Sequence, residues 1–474
     1  MINLYEYQKD YIESIRYSFI NGKKRVILCA PTGSGKTVIF SYITKQTIER
    51  HKRILILTDR KELFSQSSGS LIRMNLEPSE IKPNLKVDFS KNLYISMVQT
   101  FMRRINKPEY RDLLYSMDLI IIDEAHKSIF DKLFDYISNN TYVIGATATP
   151  YRYGKQYTLE KFYDDIIQVI DTPELILKNK LSNCVSYGVK VDLTGIKTKG
   201  GDYDEKTMGE KFSEIKLFHG VYENYIRICK GKKAILFAPN VESSKELVND
   251  WILKGLNIKH VDCYMTDIER KSIIEWFTNT KGAIISNYGI LTTGFDVPDI
   301  EVVILYRATK SLPLFLQMSG RGSRISKDKK RFYILDFGNN IKRHNYWEHP
   351  RKWTLKKKES KQGEAGIKEC PKCAYLMYSS IMDCPECGYK FKKLAKEKES
   401  QIITDLVLMP GFEIQKLAEK SSIKDLILIQ QSKGYSKSWI YHYLKSKDDF
   451  IQYGKLMGYN YKWALRQINF RKIC

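Results

Sequence analysis

The sequence predicts an α/β protein of two doubly wound parallel-sheet domains in tandem, followed by a four-cysteine module and a small helical region. Three observations carry this. Short β-branched runs alternate with helical stretches from Arg25 to Pro150, and the same rhythm returns after about Ser213. After Phe337 the rhythm breaks, and four cysteines crowd into residues 370–387.

In the first block, residues 1–172, strands are expected at Arg25–Cys29, Arg53–Leu57, Asn92–Met97, Asp118–Ile122 and Tyr142–Gly145. Several are apolar at consecutive positions, the pattern of parallel strands covered on both faces. In the second block, residues 173–342, they are expected at Lys233–Phe237, Lys259–Asp262, Ala283–Ser286, Val302–Tyr306 and Phe332–Asp336. Between the blocks, Thr172–Leu181 reads as a short helix and Thr194 to Asp202 as a loop, the whole stretch looking like a linker and surface insertion. Residues 343–400 form a basic segment carrying Trp347, Trp353 and the cysteines. Residues 401–474 read as helical, with a small echo of Gly434-Tyr435…Trp439 in Gly458-Tyr459…Trp463.

The chain has 474 residues, 43% apolar and 28% charged, an ordinary globular balance. No apolar run nears the roughly 18 residues of a membrane span. The start, Met1-Ile2-Asn3-Leu4-Tyr5-Glu6, lacks the basic and apolar regions of a signal peptide. Cytoplasm, of a bacterium or a phage-infected cell, is the expected location. The formal charge of +24 implies a polyanionic partner, nucleic acid before an anionic membrane surface. Residues 341–474 hold 27 Lys/Arg against 14 Asp/Glu, so more than half of the excess sits in the tail.

Ala30-Pro31-Thr32-Gly33-Ser34-Gly35-Lys36-Thr37 follows a strand and opens a helix, the context of a phosphate-binding loop. Gly33 and Gly35 let the backbone around Thr32 and Ser34 curl its N–H groups toward phosphate oxygens. Lys36 would supply charge to the β- and γ-phosphates, and Thr37 a hydroxyl to Mg²⁺. Ala30 departs from the glycine that usually opens this loop. Downstream, Leu119-Ile120-Ile121-Ile122 ends in Asp123-Glu124-Ala125-His126. A strand's C-terminal end beside a phosphate loop is where an α/β sheet presents ligands. Asp123 can hold Mg²⁺, and Glu124 can orient and deprotonate the attacking water.

The loop at 30–37, the Asp123-Glu124-Ala125-His126 tetrad and Thr147-Ala148-Thr149-Pro150 resemble motifs I, II and III of superfamily 2 helicases, where Ala at the loop's start is accepted. Leu291-Thr292-Thr293-Gly294-Phe295-Asp296 resembles motif V, Gln317-Met318-Ser319-Gly320-Arg321-Gly322-Ser323-Arg324 resembles motif VI, and Tyr7-Gln8 the N-terminal glutamine element. The resemblance covers about residues 5–340 and implies two RecA-like domains that hydrolyse ATP with Mg²⁺. It implies adenine reading by Gln8, a catalytic role for Gln317, and arginine fingers at Arg321 and Arg324. Asp296 would contact the ribose or couple cleft closure to the nucleotide. Thr147 and Thr149 would link the nucleotide site to the nucleic-acid groove. Positions matching the family's strand-gripping elements include Arg60, Gln99, Thr100, Thr292 and Thr293, whose groups bind phosphate without reading bases.

Cys370-Pro371-Lys372-Cys373 and Cys384-Pro385-Glu386-Cys387 have the spacing of a closed four-thiolate Zn²⁺ site, with an iron–sulfur or redox cluster as the alternative. A motor followed by such a cluster and a Gly-Tyr…Trp tail resembles RadD-like and phage-encoded DNA repair helicases. The expected function is an ATP-dependent DNA helicase or translocase on branched or forked DNA in repair, recombination or replication. An RNA helicase, or a nucleotide-switched DNA-binding scaffold that separates no strands, are the alternatives.

Overall fold

In a computed structural model the described residues are 4–152, 158–191, 193–292, 295 and 297–356, with the strands at 367–369, 376–378 and 403–409 and parts of 422–468. The first sheet contains β1 (Arg25–Cys29), β2 (Ile54–Thr58), β3 (Ser79–Ile81), β4 (Leu93–Met97), β5 (Leu119–Asp123), β6 (Tyr142–Thr147) and β7 (Asp165–Ile167). Their order is β3-β4-β2-β5-β6-β1-β7, every pairing parallel. Val26, Ile27, Leu28, Ile120, Ile121 and Ile122 are fully buried because helices cover both faces. The five strands expected from the sequence are present within two residues at each end. The three-residue edges β3 and β7 carry too little apolar pattern to be seen in advance.

The second sheet holds β8 (Asn183–Lys190), β11 (Ala234–Phe237), β12 (Ile258–Val261), β13 (Ile284–Asn287), β14 (Val302–Leu305) and β15 (Arg331–Asp336). Between β8 and β11 lies a two-stranded hairpin, β9 (Thr198–Lys199) and β10 (Asp202–Tyr203), with Gly200 and Gly201 at its turn. Farther on, β16 (Ile367–Glu369) and β17 (Leu376–Tyr378) pair antiparallel, and β18 (Ile403–Met409) follows. The second sheet's order is β12-β13-β11-β14-β15-β8-β18, parallel except where β18 runs antiparallel to β8.

Three sequence expectations are corrected here. β8 lies in the stretch read as linker, so the second sheet begins before Ser213. The insertion at 194–202 is not all loop, since it contributes to a hairpin. Ile403–Met409 is a strand in a region read as helical, although Lys447–Leu456 there is a helix.

After the helix Asn340–His344 the chain does not leave the two sheet domains. It returns as a strap across the first domain. The Gln168 carboxamide donates to the Arg351 carbonyl at 2.7 Å and accepts from the Trp353 amide at 3.2 Å. The Glu160 amide donates to the Leu355 carbonyl at 3.3 Å. Trp347 packs edge-on against Phe332 of the second domain, while Trp353 and Leu355 pack on the first domain's core. The basic segment expected to accompany the cysteines thus starts as a tie between domains. The four cysteines and both tail tryptophans, Trp439 and Trp463, lie outside the described residues.

Candidate active site and nucleic-acid cleft

β5, β6 and β1 are neighbours, so Asp123, Thr147 and the loop after Cys29 emerge side by side at their C-terminal ends. Gly33 and Gly35 have φ of 83° and 84°, a left-handed backbone that glycine adopts without strain. Gly35 precedes the helix Lys36–Glu49, whose first turn carries Lys36 and Thr37. The helix Glu6–Ile20 braces the loop from below: the Tyr7 hydroxyl donates to the Ser34 carbonyl at 2.8 Å, and Gln8 Nε2 to the same oxygen at 3.3 Å. Gln8 Oε1 accepts from the Tyr5 amide at 3.0 Å. Gln8, placed by resemblance at adenine, here holds the phosphate loop's backbone.

Lys36 Nζ donates to the carbonyls of Ala30 at 3.0 Å and Pro31 at 3.3 Å. Burial lowers its pKa, opposed by the charges of Glu124 and Asp123. Asp123 is displaced upward, first by burial and then by Glu124 beside it. Glu124 has φ of 52°, and its amide donates to Asp123 Oδ1 at 3.0 Å. The chain turns sharply there, so the two carboxylates project differently from one strand end. Ser34 Oγ is buried without a hydrogen-bond partner among the described residues, and Glu124 Oε2, which also accepts no hydrogen bond there, lies 3.3 Å from His126 Nδ1. Orphaned polar atoms around a glycine cradle, with two carboxylates and a lysine, fit a Mg²⁺–nucleotide polyphosphate. Ser34 and Lys36 would meet the phosphates, Thr37 and Asp123 the metal, and Glu124 the attacking water.

His126 Nδ1 lies 2.8 Å from Thr147 Oγ1, which also accepts from the Thr149 amide at 3.0 Å. Burial lowers the pKa of His126, with Glu124 opposing. Sequence reasoning missed what holds this corner. Arg152 grips Asp131 at 2.7 and 3.0 Å, and its Nε donates to the His126 carbonyl at 2.8 Å. Lys127 pairs with Asp59, and Gln99 Nε2 donates to the Asp59 carbonyl at 2.8 Å. A basic residue two positions past Thr147-Ala148-Thr149-Pro150 was the available signal for Arg152.

The second domain closes on this site directly. A Cβ on Gly33 would stand 2.8 Å from Leu181 Cδ2 and 3.3 Å from Ser323 Oγ. Arg321 is buried and near enough for its charge to act on Lys36. Its guanidinium donates to the carbonyls of Thr292 and Phe295, and Arg324 donates to Phe295 at 3.3 Å. On a single helical turn, two arginines three residues apart would face the same way. Instead the helix Leu312–Ser319 ends first, and Arg321 sits on the short 3₁₀ turn Gly320–Gly322. Gln317 is buried in that helix's last turn.

Among the expected nucleic-acid contacts, Arg60 and Thr292 line one cleft between the domains, with Asn287, Tyr288, Arg307 and the hairpin residues Lys199, Asp202 and Tyr203. Gln99 instead supports the Asp59 backbone beside Arg60, and Thr100 is buried. Thr293 and Asp296 lie outside the described residues.

Two parallel-sheet domains that appose a phosphate loop, a carboxylate pair and a buried arginine define an ATP-hydrolysing motor. Residues 1–152 match the family model for the type III restriction enzyme res subunit, and residues 219–326 that for the helicase conserved C-terminal domain. The two matched domains are those of superfamily 2 helicases, ATP-driven enzymes. It is 29% identical to a 51.5 kDa protein of a Lactococcus phage, covering 86% of each chain. To the putative ATP-dependent helicase IRC3 of Saccharomyces cerevisiae it is 30% identical over 70% of this chain and 51% of that one. It therefore spans about half the length of the yeast relative. A fragment of a putative HsdR subunit of a type I restriction enzyme from Vibrio vulnificus shares the fold, with TM-score 0.57 and 22% identity over 73% of this chain and 66% of that one. No helix among the described residues is long and apolar enough to cross a membrane.

Proposed function

We propose that the protein couples ATP hydrolysis to movement along DNA, separating strands at branched or forked sites during repair, recombination or replication in a bacterial or phage-infected cytoplasm. The observation that carries this reading is one cleft with walls from both domains, Arg60 from the first and Thr292 from the second. Thr292 is also a carbonyl partner of Arg321, so the strand cleft and the nucleotide site share a residue's backbone. A change at the phosphates is thereby felt where a strand would pass. The match to a restriction-enzyme subunit model and the basic tail favour DNA over RNA.

The spacing of Cys370, Cys373, Cys384 and Cys387 supports a structural Zn²⁺ of four thiolates. Metal analysis of the purified chain should find about one zinc per molecule; iron in its place would overturn that assignment. For the motor, ATPase and unwinding should be measured together on single-stranded DNA, blunt duplex, forks, four-way junctions and RNA. Unwinding is expected to be greatest on forks or junctions. A preference for RNA would make the protein an RNA helicase, and DNA-stimulated hydrolysis without unwinding or translocation would make it a switch.

A further inference from the structure

Arg307 follows β14 and was not among the residues the sequence marked. Its backbone is held tightly. Its carbonyl accepts from Asn340 Nδ2 at 2.7 Å, and a Cβ on Gly338 would stand 2.1 Å from that oxygen, so only glycine fits beside it. Asp336 completes the clamp, accepting from the Gly338 amide at 3.0 Å and from Asn340 Nδ2 at 2.8 Å. The side chain is treated oppositely. Its Nε is buried without an acceptor, and among the described residues the guanidinium forms no hydrogen bond or ion pair. Burial lowers its pKa, and the carboxylates of Asp202 and Glu205 oppose that fall from a distance. An enclosed guanidinium without an acceptor is costly, and a native protein that retains one calls for an explanation.

The cleft supplies it. Arg307 lines the same walls as Arg60 and Thr292, and no phosphate-loop residue is among them. The hairpin stands at one side, anchored where Asp202 accepts from the Thr309 hydroxyl and the Lys310 amide, both at 2.6 Å. We propose that Arg307 is the second domain's phosphodiester-binding residue, taking a strand phosphate opposite Arg60 of the first domain. A phosphodiester offers two anionic oxygens that match the planar guanidinium fork. Asp202 of the hairpin and Glu205 at the start of the next helix keep the arginine aimed without consuming its donors. This inference rests on the proposed movement along nucleic acid, and names the residue that grips.

The test compares the full chain with Arg307→Met and Arg307→Lys, using fluorescent single-stranded DNA and RNA of one sequence across a salt series. Arg307→Met should bind both roughly tenfold more weakly. Its log K against log salt slope should be shallower by about 0.7, one phosphate contact on a single strand. Arg307→Lys should keep the slope and lose part of the affinity, because its charge remains and its fork does not. The melting temperature of Arg307→Met should stay or rise, since an unpaired buried charge has gone. A lower melting temperature with unchanged slope would make Arg307 a structural residue, and a loss confined to DNA or RNA would overturn the phosphate assignment. Absence of binding by the unmodified protein would instead overturn the proposed function itself.

Discussion

Gly320 of the second domain touches Thr32 of the phosphate loop: a Cβ on Gly320 would lie 3.0 Å from Thr32 Cγ2 and 3.1 Å from Thr32 Cβ. The residue next to Gly320 is Arg321, whose charge acts on Lys36. The arginine therefore reaches the nucleotide site only as closely as the Gly320 backbone approaches the Thr32 side chain. Gly320→Ala should hold the domains apart by a few tenths of an ångström and lower ATP turnover about fivefold or more, with little effect on melting. Adding Thr32→Ser removes the opposing methyl and should recover much of the loss relative to Thr32→Ser alone. If the double variant is no better than Gly320→Ala, the contact does not set the approach.

The chemistry divides among three side chains. Lys36→Ala should weaken ATP binding. Glu124→Gln should bind ATP and scarcely hydrolyse it, because the buried carboxylate that orients water has lost its basicity. Arg321→Ala should lose roughly 10³–10⁵ in hydrolysis while still binding DNA, the range expected of an arginine finger. Near-normal turnover by Glu124→Gln would remove the base.

His344 gives the motor an acid-sensitive joint. Its Nε2 donates to the Thr309 carbonyl at 2.8 Å, and its ring stacks on Phe315. Burial pushes its pKa down from 6.5 to about 4, against the help of Thr309 and with Arg343 and Arg351 adding to the fall. Between those values the unfolded chain binds more protons than the folded one, so this group's contribution to stability rises with pH and is lost on acidification. Going from pH 6.5 to 4 should cost up to about 3 kcal/mol through this residue. His344→Gln keeps a donor and cannot titrate, so its melting temperature should fall less over that window. Parallel curves for the two proteins would contradict the assignment.

The strap makes a separate prediction. Gln168→Ala deletes both hydrogen bonds that hold the backbone at Arg351 and Trp353. Hydrogen exchange at residues 351–355 should quicken by roughly tenfold, consistent with losing about 1–2 kcal/mol of local hydrogen bonding. Unchanged exchange would mean that Trp353 and Leu355 hold the strap by packing alone.

The legible and illegible parts of this molecule separate on physical grounds. Strands such as Val26–Leu28 and Ile120–Ile122 are covered on both faces, so burial wrote itself into consecutive residues. The phosphate loop and Asp123-Glu124 were legible because phosphate and metal chemistry dictate local spacing. β8, by contrast, mixes Asn183, Ser186 and Gly188 with apolar residues and lies near the sheet's edge. Trp347 and Trp353 advertised that something would be covered, yet no local pattern says which surface a tryptophan will find. Arg307 was invisible for the same reason, since its meaning lies in the cleft it faces and the acceptor it lacks.

The path of the chain after the motor carries one more consequence. Leu355 is fastened to the first domain through Glu160, and β18 is fastened to the second domain at the edge of β8. All four cysteines fall between those two anchorages. The two anchorages belong to different domains, so any movement of one domain against the other changes the separation of residues 355 and 403.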